Sequence, residues 1–322
     1  MILEKVFLNE GAIFFIDGPG GTGKTYLYRA LLAAVRSKKL IALATTSSRV
    51  TAGILPGGRT AHSRFKIPLE VNGNINCSIS KQSALANLFQ LTKLIIWDET
   101  PMVNRQVVEA LDKMLQDVNE CNLPFGGKVV VLGGDFRQVL PVVPKGKKED
   151  IIGASLVNSY LWQFFIKIKL IQNMRAILDP SFSNFLLQIG NGTEKHHSCS
   201  MIKLLHNITI PFHDDTFSLN NLIDIVFPNL HYYIQKLDYM INRVILTPKN
   251  EYLDQINSIL IERFPGDTYK YYSFDEILDK TEQSLQEDFL NTLTANGIPP
   301  HELTLKQNCP IMLLQNINPS AG

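Results

Sequence analysis

Short continuous apolar runs alternate with segments of helical period through the first 150 residues. Ala12–Ile16, Ile41–Ala44, Leu94–Trp97 and Val129–Leu132 are each almost wholly apolar, the pattern of parallel strands covered on both faces. Between and after them, Tyr26–Val35 and Val107–Val118 gather apolar residues on one helical face. Strands alternating with helices in this way predict an α/β fold built on a parallel sheet. The stretch from Gly53 to Ser83 is rich in Gly, Asn and Ser and predicts a small insertion or exposed hairpin. Pro144–Asp150 is polar and basic and reads as a surface loop or boundary, dividing the chain into domains at 1–150 and 151–322. The second half has a weaker pattern. Strands are predicted at Lys167–Ile171 and Arg243–Leu246, and helices at Asp179–Ile189 and Lys249–Arg263, with an irregular polar stretch from Asn191 to Asp224. That stretch holds four of the seven histidines, without a metal-ligand spacing.

Composition narrows the class. At 322 residues the chain has room for two domains, and its 45% hydrophobic and 19% charged content is that of a globular protein. A net charge of +1 provides no global basic field, so any nucleic-acid contact requires a local groove. Cys77, Cys121, Cys199 and Cys309 are dispersed, which points to reduced thiols and away from a zinc site. No run approaches the roughly 18 apolar residues of a membrane span. Met1–Lys5 resembles neither a secretory signal nor a transit peptide, so an intracellular protein is expected.

Chemistry concentrates first in Gly18-Pro19-Gly20-Gly21-Thr22-Gly23-Lys24-Thr25, placed between a predicted strand and a predicted helix. Glycines let successive backbone N–H groups turn toward a triphosphate, and the helix N-terminus adds its positive end. In such a P-loop, Gly18, Gly20, Gly21, Thr22 and Gly23 cradle the phosphates, Lys24 reaches the β- and γ-phosphates, and the Thr25 hydroxyl ligates Mg²⁺. The expected substrate is therefore ATP or another nucleoside triphosphate, with Mg²⁺.

Leu94–Glu99 is an apolar strand ending in two adjacent acids. Asp98 suits the Mg²⁺ shell and Glu99 the role of general base toward an attacking water, a pairing that a nucleotide kinase does not need. Val129–Gln138 is a further strand ending in a polar turn, whose Gln138 can sense the γ-phosphate. Arg175, after the strand predicted at Lys167–Ile171, is by residue type either a surface arginine or an arginine finger.

Taken together these segments resemble the Pif (petite integration frequency) family of DNA helicases, in the 5′-to-3′ branch of superfamily 1. The likeness rests on Phe14–Thr25, Ala44–Ser48, Gly58–Phe65, Trp97–Met102, Pro124–Gly127, Gly134–Pro141, Asn173–Arg175 and Leu246–Asn250. It implies a RecA-like P-loop NTPase domain followed by an incomplete second RecA-like domain. It also implies catalytic roles for Lys24, Glu99, Gln138 and Arg175, and a DNA path lined by Thr46, Ser47, His62 and Ser63. Phe65 would stack on bases. The implied partners are single-stranded DNA and DNA forks, acting on a monomer in the nucleus or mitochondrion during repair, recombination and telomere maintenance.

Relative to the family pattern, Met1–Gly11 lacks an adenine-recognising glutamine, and no Ala-Leu-Ser-Arg-like block with a second nucleotide-contacting arginine occurs. Pro310–Asn316 resembles the opening of a small barrel-like subdomain. The chain is thus expected to be clipped at both ends. Two readings follow: an ATP-dependent helicase, or a remnant that binds ATP and single-stranded DNA without turnover. A different P-loop enzyme, such as a small-molecule kinase, is disfavoured by Asp98-Glu99 and Gly134–Pro141.

Overall fold

The computed structural model describes residues 1–68, 75, 77–194, 196–198, 201–230, 233, 237–273 and 301–312. The chain forms two compact units, 1–202 and 203–322.

In the first unit, helix α1 (Ile2–Leu8) leads into β1 (Ala12–Asp17), which is followed by α2 (Lys24–Ser37) and β2 (Ile41–Thr46). A short helix α3 (Arg49–Ala52), a strand β3 (Gly58–Thr60) and a helix α4 (Ala61–Phe65) come next. Then follow α5 (Ala84–Leu91), β4 (Thr92–Asp98), α6 (Arg105–Asn119), β5 (Val129–Gly134), α7 (Lys148–Ala154), β6 (Ile166–Lys169) and α8 (Pro180–Asn191). The six strands form one parallel sheet in the order β3-β2-β4-β5-β1-β6. A two-stranded ribbon, β7 (His196–Ser198) with β8 (Met201–Ile202), closes the unit.

Strand alternation explains why the runs are apolar throughout. In β1, Phe14 and Ile16 pack with Tyr28, Leu32 and Val35 of α2, whereas Ile13 and Phe15 pack on the opposite side with Leu111 and Leu115 of α6. Each face therefore carries its own core, and the central strands β1, β2, β4 and β5 are covered on both sides, whereas the edge strand β6 is largely exposed.

One buried acid organises the α6 side. Asp112 accepts from the Phe125 N–H and from the Tyr160 hydroxyl, at 2.5 and 2.6 Å, and from Gln116 Nε2 at 3.0 Å. Burial, followed by the hydrogen bond to Asp112, pushes the Tyr160 phenol well above its ordinary range. The turn that Asp112 holds, Pro124–Gly127, has left-handed backbone at Phe125 (φ 53°), an unfavourable conformation for a bulky residue.

Several boundaries differ from the sequence reading. The strand predicted at Lys167–Ile171 is β6, which pairs with β1 and belongs to the first unit, as does Arg175. The polar stretch at Pro144–Asp150 is a surface turn leading into α7 inside that unit. Within the predicted insertion lies β3, a sheet strand whose sequence, Gly-Arg-Thr, carries no apolar signal and is extended by its pairing with β2.

The second unit, among its described residues, contains α9 (Asp215–Val226), α10 (Leu237–Ile241), α11 (Asn250–Arg263) and the antiparallel pair β9 (Thr268–Tyr272) and β10 (Glu302–Lys306). Phe227, Leu230, Tyr233 and Phe264 form its core. Helix α9 lies in the stretch expected to be irregular. Arg243–Leu246, predicted as a strand, is not one: Val244 and Leu246 are exposed and the segment joins no ladder. Most of Pro310–Asn316 lies outside the described residues.

Candidate functional site

The ends of β1, β4 and β5 converge at one edge of the sheet, where parallel α/β folds collect their ligands. Gly18 opens the loop after β1 by donating its N–H to Gly134 O at the end of β5, at 3.2 Å. The Thr22 hydroxyl donates to Pro19 O at 2.8 Å, and Lys24 Nζ reaches back to Gly18 O. Gly23 caps α2 with φ 86°, so that α2 starts at Lys24 with its N-terminus facing the loop.

Gly20, Gly21, Thr22, Gly23, Lys24 and Thr25 line a single cleft together with Asp98, Glu99, Gln138 and Arg175. Residues predicted from four separate segments are thus neighbours. Gly18 lies beneath the loop, where its carbonyl receives Lys24.

The two acids differ in setting. Asp98 is buried, and burial first, then the charge of Glu99, pushes its carboxyl up to about 6; the Glu99 N–H donates to its Oδ1 at 2.9 Å and works in the opposite direction. Tyr28 of α2 is buried beside Asp98, and its phenol is raised by that burial and by the Asp98 charge. Glu99 is half-buried; burial raises its carboxyl while Lys24 lowers it. Its backbone is left-handed, φ 58° and ψ 38°, a conformation that costs a non-glycine residue about 1–3 kcal/mol and is found where the surroundings enforce it. Here they do. Ser47 Oγ donates to Glu99 O at 2.8 Å, and the Thr100 hydroxyl donates to Gly133 O at 3.1 Å. Gly134 is also required: a Cβ there would lie 2.3 Å from Pro101 Cδ, in the turn that follows Glu99.

Arg175 reaches the cleft because its segment is fastened to the loop. The Met174 and Arg175 N–H groups donate to Gly21 O at 2.9 and 3.3 Å, and Asn173 Nδ2 donates to Gly20 O at 3.2 Å. Asn173 Oδ1 in turn accepts from the Arg175 and Ala176 N–H groups, both at 3.0 Å. Sequence reasoning quoted Asn173 within a motif and gave it no role. Asp135 was passed over in the same way. It is buried, accepts from the Arg137 N–H at 3.0 Å and from Arg137 Nη1 at 3.1 Å, and lies 3.4 Å from Gln138 Nε2.

The predicted DNA-contacting residues divide. His62 and Ser63 are half-buried on α4, and burial lowers the His62 imidazole from its ordinary value. Thr46 is buried with its hydroxyl bonded to that of Thr51. Ser47 turns its hydroxyl inward. Phe65 is not available for stacking: its ring lies in the core against Phe89 and Trp97, because α4 is short and must bury its one large apolar residue.

The oxygen donors here suit a small hard cation. A threonine hydroxyl and a buried carboxylate, Thr25 and Asp98, line the same cleft, and Mg²⁺ takes one or two protein oxygens together with phosphate oxygens. Among the described residues no cluster of three or more acids, histidines or cysteines forms a cage that would hold a metal without a nucleotide.

Comparison with known proteins agrees with this geometry. ATP-dependent DNA helicase PIF1 of Emericella nidulans is 26% identical over 318 residues, 97% of this chain and 38% of that protein. ATP-dependent DNA helicase Pif1 of Campylobacter jejuni is 34% identical over 201 residues, 59% of this chain and 42% of that protein. The chain therefore spans about two fifths of the length of these curated relatives. The crystal structure of Pif1 helicase from Candida albicans superposes with a TM-score of 0.62 at 23% identity, covering 95% of this chain and 61% of that one. Pif1 helicase from Bacteroides in complex with ADP-AlF3 and ssDNA gives 0.58 at 22% identity, covering 85% and 60%. These two establish a shared fold. The DNA helicase Pif1 2B domain matches residues 288–322. The PIF1-like helicase family matches residues 1–199, the whole of the sheet and its cleft, and the chain belongs to that family.

Proposed function

We propose that the cleft hydrolyses ATP and that turnover is stimulated by single-stranded DNA, as in a 5′-to-3′ DNA helicase that translocates on one strand and unwinds forks. The observation that carries this reading is the meeting of the phosphate loop, Asp98-Glu99, Gln138 and Arg175 in one cleft. The ADP-AlF3 and ssDNA complex of the Bacteroides relative supports the choice of ligands.

In this mechanism the loop amides and Lys24 hold the β- and γ-phosphates. Glu99 accepts a proton from the attacking water, and Gln138 holds that water in line with the γ-phosphorus. As the bond to the β–γ bridging oxygen breaks, charge on the transferred phosphoryl group is met by Lys24 and Arg175. Thr25 and Asp98 would hold Mg²⁺, which supplies charge neutralisation at the phosphate oxygens.

By family analogy the protein acts as a monomer in the nucleus or mitochondrion, in repair, recombination or telomere maintenance. The residues after 202 would form part of a second RecA-like domain. Steady-state ATP hydrolysis with and without oligo-dT, beside a Lys24→Ala control, tests the reading. Stimulated turnover that the control abolishes is the expected result. ATP binding without turnover would instead favour a non-catalytic, DNA-binding role.

A further inference from the structure

One hydroxyl joins the end of β2 to the Asp98–Glu99 turn. Ser47 follows β2 directly, and β2 ends beside β3 with Thr46 opposite Thr60, so Ser47 adjoins the segment that leads to His62 and Ser63. Its Oγ accepts from Trp97 Nε1 at 3.1 Å and donates to Glu99 O at 2.8 Å, and its N–H donates to Asp98 O at 3.3 Å. The hydroxyl thus forms a short chain from the Trp97 indole to the Glu99 carbonyl.

The surroundings make that chain consequential. Trp97 is fully buried in the core, so its indole end cannot follow a moving partner. Glu99 has a left-handed backbone held by its neighbours. On the other side, Thr51 Oγ1 bonds to Thr46 Oγ1 and donates to Ser48 O at 3.1 Å, which ties residues 46–51 into one piece. A shift of that piece alters both bonds of Ser47 at once, and with them the aim of the Glu99 carboxylate.

We infer that Ser47 is a positioning residue through which single-stranded DNA, bound at the ends of β2 and β3, sets Glu99 for hydrolysis. This rests on the ATPase reading and deepens it. The hydroxyl serves the turn and not the DNA, so its loss uncouples stimulation without removing either ligand.

The test uses the full chain carrying Trp162→Phe, which leaves Trp97 as its one indole, with Ser47→Ala and Ser47→Thr made in that background. Four quantities are read: ATP turnover with and without oligo-dT, affinity for a fluorescent ATP analogue, affinity for labelled oligo-dT, and Trp97 emission on adding oligo-dT. Ser47→Ala is expected to keep both affinities within about 3-fold, to lose about 10-fold or more of the stimulated kcat, and to lose the emission change. Ser47→Thr, which keeps the hydroxyl, is expected to restore stimulation and emission. A weakened oligo-dT affinity with intact kcat at saturation would make Ser47 a DNA ligand and overturn the inference. Equal losses of basal and stimulated turnover, unrepaired by threonine, would reduce it to a packing residue. If the parent chain shows no turnover, the ATPase reading fails, and the emission still decides the link: a DNA-dependent change lost in Ser47→Ala upholds it, and no change in the parent refutes it.

Discussion

Met174 donates its N–H to the carbonyl of Gly21 at 2.9 Å, so the segment that carries Arg175 is docked on the phosphate loop by main-chain atoms. Asn173 completes the clamp with bonds to Gly20 O and to the Arg175 and Ala176 amides. Asn173→Ala removes the side-chain half of this clamp and leaves every group facing the phosphates in place. We expect kcat for ATP to fall about 10- to 100-fold with KM nearly unchanged, the sign of an interaction that matters in the transition state. Steady-state kinetics across ATP concentration would show it; a matched rise in KM would mean that the clamp shapes the loop and not Arg175.

Arg175 itself is exposed and reaches the cleft. An arginine that neutralises charge on a transferred phosphoryl group is worth about 10³–10⁵ in rate. Arg175→Ala should therefore reduce turnover by at least about 10³-fold and still bind ATP, as measured by single-turnover hydrolysis beside nucleotide binding. A loss below 10-fold would identify it as a surface arginine.

Glu99→Gln keeps the size of the side chain and the strained backbone, and removes the basic oxygen. General-base catalysis contributes about 10²–10⁴-fold, so turnover should fall by that factor while ATP affinity persists. The variant should hold ATP long enough for the complex to be isolated by gel filtration.

Asp112 is a structural acid. Asp112→Ala removes the acceptor of the exposed Tyr160 side chain and leaves the buried Phe125 N–H without its partner, an orphan that costs about 1–3 kcal/mol. A lowered urea midpoint with little change in ATP turnover per folded molecule is the expected result.

The reach of the sequence follows from what makes each element. Strands β1, β2, β4 and β5 are apolar because both faces are covered, so their runs announce them. The phosphate loop and Asp98-Glu99 are legible because backbone chemistry restricts which residues can stand there. Strand β3 was hidden, since Gly-Arg-Thr is extended by its neighbour and not by its own preference. The placement of Arg175 was also hidden: β6 joins the first sheet through pairing with β1, a contact no local pattern records. Phe65 misled because an aromatic beside a histidine suits base stacking and core packing equally well, and only burial distinguishes them.

His62 offers a test by pH. Burial lowers its imidazole below the ordinary value of 6.5, so the folded chain takes up that proton less readily than the unfolded one. The contribution of His62 to stability is then full above pH 6.5 and declines as pH falls from there toward the lowered folded value. A His62→Gln chain lacks this decline, so the difference in Tm between the two should narrow or reverse as pH falls below 6.5. The same shift has a consequence for DNA. Were DNA phosphate to lie against α4, His62 would meet it at neutral pH as a neutral hydrogen-bonding group and release no counterion. The salt dependence of oligo-dT binding should therefore be the same in the two proteins, their slopes differing by less than the roughly 0.7 expected for one lost cation on a single strand. A slope difference of that size at pH 7.5 would show that His62 carries charge against the DNA and that burial does not control its proton.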